Sequence, residues 1–121
     1  MKKVLLVLSV FVLMAFGGDY EDARKAEKAG DAKKAVDLYQ KAADAGNAQA
    51  QWFLAAHYQY GDGIKQNYKK AFEWYKKVAD QGYSLGYMGL AKLYKNGLGV
   101  EKDAEKVLFY YEKSAGAKIR W

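Results

Sequence analysis

A chain that matches itself at a fixed offset of a few tens of residues builds one small unit several times and stacks the copies. This chain does so at an offset of 36. Leu54, Ala55 and Tyr58 meet Leu90, Ala91 and Tyr94, and Gly61, Gly63 and Ile64 meet Gly97, Gly99 and Val100. Lys70, Tyr75, Lys77 and Ala79 meet Lys106, Tyr111, Lys113 and Ala115. One unit upstream, Lys34, Ala35, Tyr39, Lys41, Ala43, Asp44 and Gly46 fall on Lys70, Ala71, Tyr75, Lys77, Ala79, Asp80 and Gly82.

Each unit reads as two helices. In the second, Tyr68, Ala71, Phe72, Tyr75, Val78 and Ala79 recur at three- and four-residue steps, the spacing of one helix face. Lys69–Glu73 and Lys76–Asp80 are set four apart on the other side, where they can pair. Asp31, Asn67 and Asp103 precede these helices, and their short side chains suit the N-cap. Gly46 and Gly82 follow the first two, where a left-handed residue ends a helix at little cost. The third is expected to end near Ala115. The first helices are expected over about residues 48–59 and 84–95, joined to the second by glycine-rich turns in which Ile64 and Val100 tuck back as plugs. Residues 20–29 form a first helix with a shorter turn at Gly30-Asp31. The expected fold class is all-α: an α/α solenoid of stacked antiparallel helix pairs with a right-handed superhelical course. Residues 18–46 form an N-terminal capping pair, 47–82 and 83–115 two full repeats, and 116–121 a tail.

The first seventeen residues lie outside the repeat. Lys2 and Lys3 precede an apolar run from Val4 to Phe16, broken only by Ser9 and shorter than the about 20 residues of a membrane-spanning helix. With the small residues Ala15 and Gly17, this is the pattern of a secretory signal peptide, residues 1–17, cut after Gly17. The expected location is therefore exported, periplasmic or secreted, with no membrane span after cleavage. With no cysteine in the sequence, such a chain is held by packing alone.

The segment carrying Leu54, Tyr58, Gly61-Asp62-Gly63-Ile64, Asn67-Tyr68, Lys70-Ala71, Trp74-Tyr75, Lys77, Ala79 and Gly82 resembles a Sel1-like repeat, a relative of the tetratricopeptide repeat. Residues 83–115 resemble a second, with Gly86, Val107 and Ser114 in place of typical alanines and Tyr110 in place of the typical tryptophan. Residues 20–46 resemble a partial unit. The resemblance implies a solenoid that binds other proteins through its concave surface. One exported, cysteine-rich branch of the family is described as β-lactamases or penicillin binders; this chain has none of those cysteines. A β-lactamase-like or peptidoglycan-binding protein is thus the alternative that resemblance alone carries.

The residue inventory favours recognition over catalysis. A serine β-lactamase needs Ser-x-x-Lys. Ser84 is followed three residues on by Tyr87, and Ser114 has Lys118 at four. His57, the sole histidine, reads as a packing residue, since a zinc site needs three or four ligands. The Gly-x-Gly pairs precede no Lys-Ser/Thr, so they read as turns. No catalytic residue, metal ligand or cofactor is expected. Lys34, Lys41, Lys70, Lys77, Lys106 and Lys113 form a ladder that reads as a snorkelling edge rather than a nucleic-acid surface. Trp74, Tyr75, Tyr110 and Tyr111 recur with the repeat and read as packing between helices, whereas Tyr83 and Tyr87 have no aromatic counterpart one unit back and read as candidate binding aromatics.

In a stack of helix pairs the first helices line the concave side. Their non-core faces carry Gln49, Trp52, Ala56 and Gln59, then Leu85, Met88, Lys92 and Lys95. Trp52 and Met88 suit anchoring, and the two lysines suit orienting an acidic group. The expected partner is another protein or peptide, not nucleic acid. Ile119 and Trp121 offer a further route, homo-oligomerisation through the C-terminal unit.

Overall fold

The computed structural model describes residues 18–119 and 121; the secretory-signal reading of residues 1–17 lies outside them. Among the described residues six helices follow one another: α1 over 18–28, α2 Ala32–Asp44, α3 Ala48–Tyr60, α4 Tyr68–Asp80, α5 Ser84–Asn96 and α6 Ala104–Ala115. Consecutive helices pack against each other from α2 to α6, which makes the chain an all-α solenoid of helical hairpins. Among the described residues no helix is long and apolar enough to cross a membrane.

The helix boundaries are set by side chains. Asp31, Asn67 and Asp103 accept from the backbone N–H of Lys34, Lys70 and Lys106 at 3.0–3.1 Å, capping α2, α4 and α6. Asn47 does the same for α3, accepting from Ala50 N–H at 2.9 Å. Tyr83 stands at the matching position before α5 and makes no side-chain cap. There the C-terminal tail intervenes: Ser84 N–H donates to the Lys118 carbonyl at 2.8 Å, and Lys118 N–H donates to the Gly82 carbonyl at 2.9 Å. A backbone carbonyl thus satisfies a first-turn donor of α5 that Tyr83 cannot reach.

The Gly-x-Gly turns have two tasks. Gly61 and Gly97 end α3 and α5 in the left-handed conformation at φ 66° and 65°. Gly63 and Gly99, also left-handed, sit against the start of the second helix one hairpin back; a Cβ there would lie 2.5 Å from the Ala32 carbonyl or 2.7 Å from Tyr68 Cβ. Ile64 and Val100 pack against the core beside them.

The core is built from alanines, which let helices approach, and a few large side chains between them: Tyr39, Leu54, Val78, Leu90 and Leu93 are fully buried. Each buried aliphatic contributes about 1.5–3 kcal/mol relative to exposure. Glycines let α5 approach α4 closely, with Gly86 over the Val78–Ala79 backbone and Gly89 on the Tyr75 ring. The two ends of the stack differ. On α1, Glu21, Asp22, Lys25 and Lys28 face solvent. On α6 no residue is buried, and Leu108, Phe109 and Tyr111 are 60%, 49% and 43% exposed.

Candidate functional site

A groove of about 540 Å³ runs between α3 and α5. Trp52, Ala56 and Tyr60, each one helical turn after the last, give it one wall. Leu85, Met88, Lys92 and Lys95, at alternating three- and four-residue steps, give it the other. Tyr75 and Gly89 also line it, and Tyr111 of α6 and Asn96 complete it. Lys92 is held in place: its ammonium donates to Tyr60 Oη at 2.5 Å and lies 5.3 Å from the centre of that ring. No carboxylate lines this groove among the described residues.

Six of the eight expected residues, Trp52, Ala56, Leu85, Met88, Lys92 and Lys95, come together here. The other two do not. Gln59 is 3% exposed; its Oε1 accepts from Tyr75 Oη at 2.7 Å, and its carbonyl accepts from Gln66 Nε2 at 2.8 Å. Its amide is spent inside the fold. Gln49 lies on a separate depression beside Asn47, Gln81, Tyr83 and Trp121. Tyr83 and Tyr87, the other candidate binding aromatics, lie outside this groove, each half-buried against another ring. Trp121 packs on Tyr83 at 5.0 Å with Lys118 Nζ 4.9 Å from the same ring, while Tyr87 stacks on Tyr110 at 6.3 Å. Sequence reading missed Tyr60 and took Tyr111, which is 43% exposed, for packing between helices. Tyr60 was available as the next turn of the Trp52–Ala56 stripe, and Tyr111 as the third member of the Tyr39–Tyr75 series.

A second cavity of about 490 Å³ shares Trp52, Ala56 and Tyr60 with the groove and adds Glu27, Phe53, His57 and Asp62. His57 is 4% exposed; Nε2 is 2.8 Å from Glu27 Oε1 and Nδ1 is 2.8 Å from the Asp62 carbonyl. Glu27 also accepts from Tyr39 Oη at 2.7 Å and from Arg24 at 3.0 Å. Burial pushes the Glu27 carboxyl upward, but the hydrogen bonds from Tyr39 and His57, with the charges of His57 and Arg24, outweigh it and hold its pKa below the ordinary carboxylate value. Burial first, and the bond to Glu27 second, push the Tyr39 hydroxyl well above its usual range. This cluster ties α1 and α2 to α3, in keeping with His57 as a packing residue. No group of three or more potential metal ligands occurs among the described residues.

Other expectations resolve as packing. Lys70, Lys77, Lys106 and Lys113 of the ladder lie 4.9–5.6 Å from the ring centres of Tyr58, Trp74, Tyr94 and Phe109. Ser84 is buried at the start of α5, its N–H bonded to the tail.

The Sel1 repeat model matches residues 17–47, 48–83 and 84–117. The chain belongs to the Sel1 repeat family. Its fold is shared with the crystal structure of a Sel1 repeat protein from Oxalobacter formigenes, at TM-score 0.76 and 27% identity over 84% of this chain and 43% of that one. It is also shared with c5321, a protective antigen of uropathogenic Escherichia coli strains displaying an SLR fold, at TM-score 0.79 and 28% identity over 84% of this chain and 22% of that one. The chain therefore spans less than half the length of either neighbour. No curated protein matches it significantly. Sel1 repeats are helical protein-interaction modules, and the three repeats place this chain among them.

Proposed function

We propose that this Sel1 repeat protein is exported to the bacterial cell envelope and acts there as a scaffold, binding a segment of another protein in the α3–α5 groove. The observation that carries the binding reading is the groove itself. One continuous depression joins an indole, a thioether and an isobutyl group to two ammonium groups, the combination of apolar anchors and orienting charges that protein recognition uses. Met88 is 46% exposed at its edge, an unbranched side chain able to adapt to an incoming surface. Export rests on the basic start and short apolar run of residues 2–17.

The test is affinity capture from envelope extracts with the wild type, Trp52→Ala and Lys92→Glu. Partners held by the wild type are expected to be lost by both variants while their helical circular dichroism is kept. Identical partner sets would remove the groove assignment. Cell fractionation tests export separately: a mature species beginning near Gly18 outside the cytoplasm is expected, and a full-length cytoplasmic protein would remove that part.

A further inference from the structure

The second helices carry one tyrosine in a constant register: Tyr39 on α2, Tyr75 on α4 and Tyr111 on α6. In the first two, the hydroxyl donates to an acceptor near the end of the first helix of the same hairpin. Tyr39 Oη donates to Glu27 at 2.7 Å, and Tyr75 Oη donates to Gln59 at 2.7 Å. The residue in that place on α5 is Lys95, 36 after Gln59. The turn after α1 is four residues shorter than the later ones, so Glu27 is the matching residue of the first hairpin. An ammonium has three donors and no acceptor. The third hairpin therefore sets a cation, which offers no acceptor, where the first two set the group that accepts from the tyrosine hydroxyl. Burial follows the same division: Tyr39 is 0% exposed, Tyr75 4% and Tyr111 43%.

Lys95 and Tyr111 both line the α3–α5 groove, and Lys92 stands one turn before Lys95 on the same wall. We infer that the groove takes a glutamate side chain of a partner protein, whose carboxylate plays toward Tyr111 and Lys95 the part that Glu27 plays toward Tyr39. This inference rests on the groove reading above and adds the chemistry of the ligand. Two ammonium groups and a phenol hydroxyl line the same groove, and the lining holds no carboxylate to neutralise the charges. Charge-assisted hydrogen bonds to a carboxylate are the stronger kind, and this geometry supplies them only with the partner present. Residues flanking that glutamate would lie along Trp52, Leu85 and Met88, so the segment is acidic at one point and apolar beside it.

The probes are acetyl-Gly-Leu-Phe-Glu-Gly-amide and the same peptide with Gln for Glu, blocked at both ends so that the side chain alone carries charge. Each is titrated into the 15N-labelled protein and followed by NMR. The Glu peptide is expected to move the Trp52 indole, Lys95 and Tyr111 signals and to bind about tenfold tighter than the Gln peptide, the ratio that one charge-assisted contact supplies. Lys95→Glu returns the third hairpin to the pattern of the first and should erase that preference, leaving the Trp52 shifts in place. Tyr111→Phe should weaken the Glu peptide severalfold and the Gln peptide less, since a glutamine oxygen also accepts from the hydroxyl, as Gln59 does from Tyr75. Equal affinities for the two peptides, with shifts at Trp52 and Met88, would overturn the carboxylate assignment and keep the groove. Absence of shifts at Trp52 and Met88 with either peptide would overturn the groove reading, and this inference with it.

Discussion

Tyr75 and Gln59 share one hydrogen bond, Oη to Oε1 at 2.7 Å, in a place from which water is nearly excluded: the two residues are 4% and 3% exposed. Desolvation, with the neighbouring Tyr60 hydroxyl a smaller cause, pushes the Tyr75 hydroxyl far above its usual pKa, so it stays a donor throughout the working pH range. Tyr75→Phe leaves the buried Gln59 oxygen without that donor and is expected to cost about 1–2 kcal/mol. Thermal unfolding should then show a midpoint lower by about 5–10 °C. Pairing it with Gln59→Met removes both polar ends and should recover much of the loss. A single mutant as stable as the wild type would show that the bond adds nothing.

Glu27 makes the stability depend on acid. Its carboxyl ionises more readily folded than unfolded, so the folded state binds fewer protons there. Its contribution is complete above the ordinary carboxylate range near pH ~4.3 and is lost as pH falls through the lower folded value. Glu27→Gln should unfold at a clearly lower temperature than the wild type at pH 7, and the gap should narrow steadily below about pH 4. A gap that stays constant down to pH 3 would mean that the Glu27 charge contributes nothing to the α1–α3 junction.

Two glycines with no positive φ make a sharp comparison. A Cβ on Gly86 would lie 2.2 Å from the Ala79 backbone nitrogen, where nothing can yield without moving a helix. A Cβ on Gly116 would meet its nearest neighbour, the Lys113 carbonyl, at 4.0 Å. Gly86→Ala is expected to cost about 1–3 kcal/mol through overpacking, and Gly116→Ala to stay within about 0.5 kcal/mol of the wild type. Urea denaturation of both checks the pair. Equal midpoints would show that α4 and α5 are not held this closely.

The tail and Tyr83 form a linked test. Removing residues 117–121 takes away the Lys118 carbonyl that serves the first turn of α5 and should cost about 1 kcal/mol, the usual worth of a cap. Tyr83→Asn in the shortened chain supplies the side chain that Asn47 supplies to α3, an acceptor for the N–H three residues on rather than for Ser84, and should restore part of the loss. If the Asn variant recovers nothing, the tail stabilises through Trp121 packing on Tyr83 instead.

What could be read from the sequence follows from what repeats. The 36-residue period brought with it the hairpins, the Asp31, Asn67 and Asp103 caps and the Gly-x-Gly turns, because each is a local response to residues that recur. The groove face emerged for the same reason, as helical spacing puts Trp52 with Ala56 and Leu85 with Met88. Gln59 was misassigned because face patterns sort residues by polarity, and a buried amide paired with a buried hydroxyl is polar yet inside. The tail on Tyr83 and the Glu27–His57 pair were out of reach for another reason. Each joins segments at a spacing that the repeat does not set: 30 residues for Glu27 and His57, and a single return of the chain for Lys118.

The contrast between α1, whose outward residues are charged, and α6, which buries none of its own, gives this molecule a polarity of extension. A designer who grafts further hairpins after α6, with glycine or alanine set where α5 has Gly86 and Gly89, would find a prepared seat at Leu108 and Tyr111. The same graft ahead of α1 would meet Glu21, Asp22 and Lys25 and have nothing to settle on. Lengthening from the α6 side would also cover Tyr111, and with it one of the donors that face the groove.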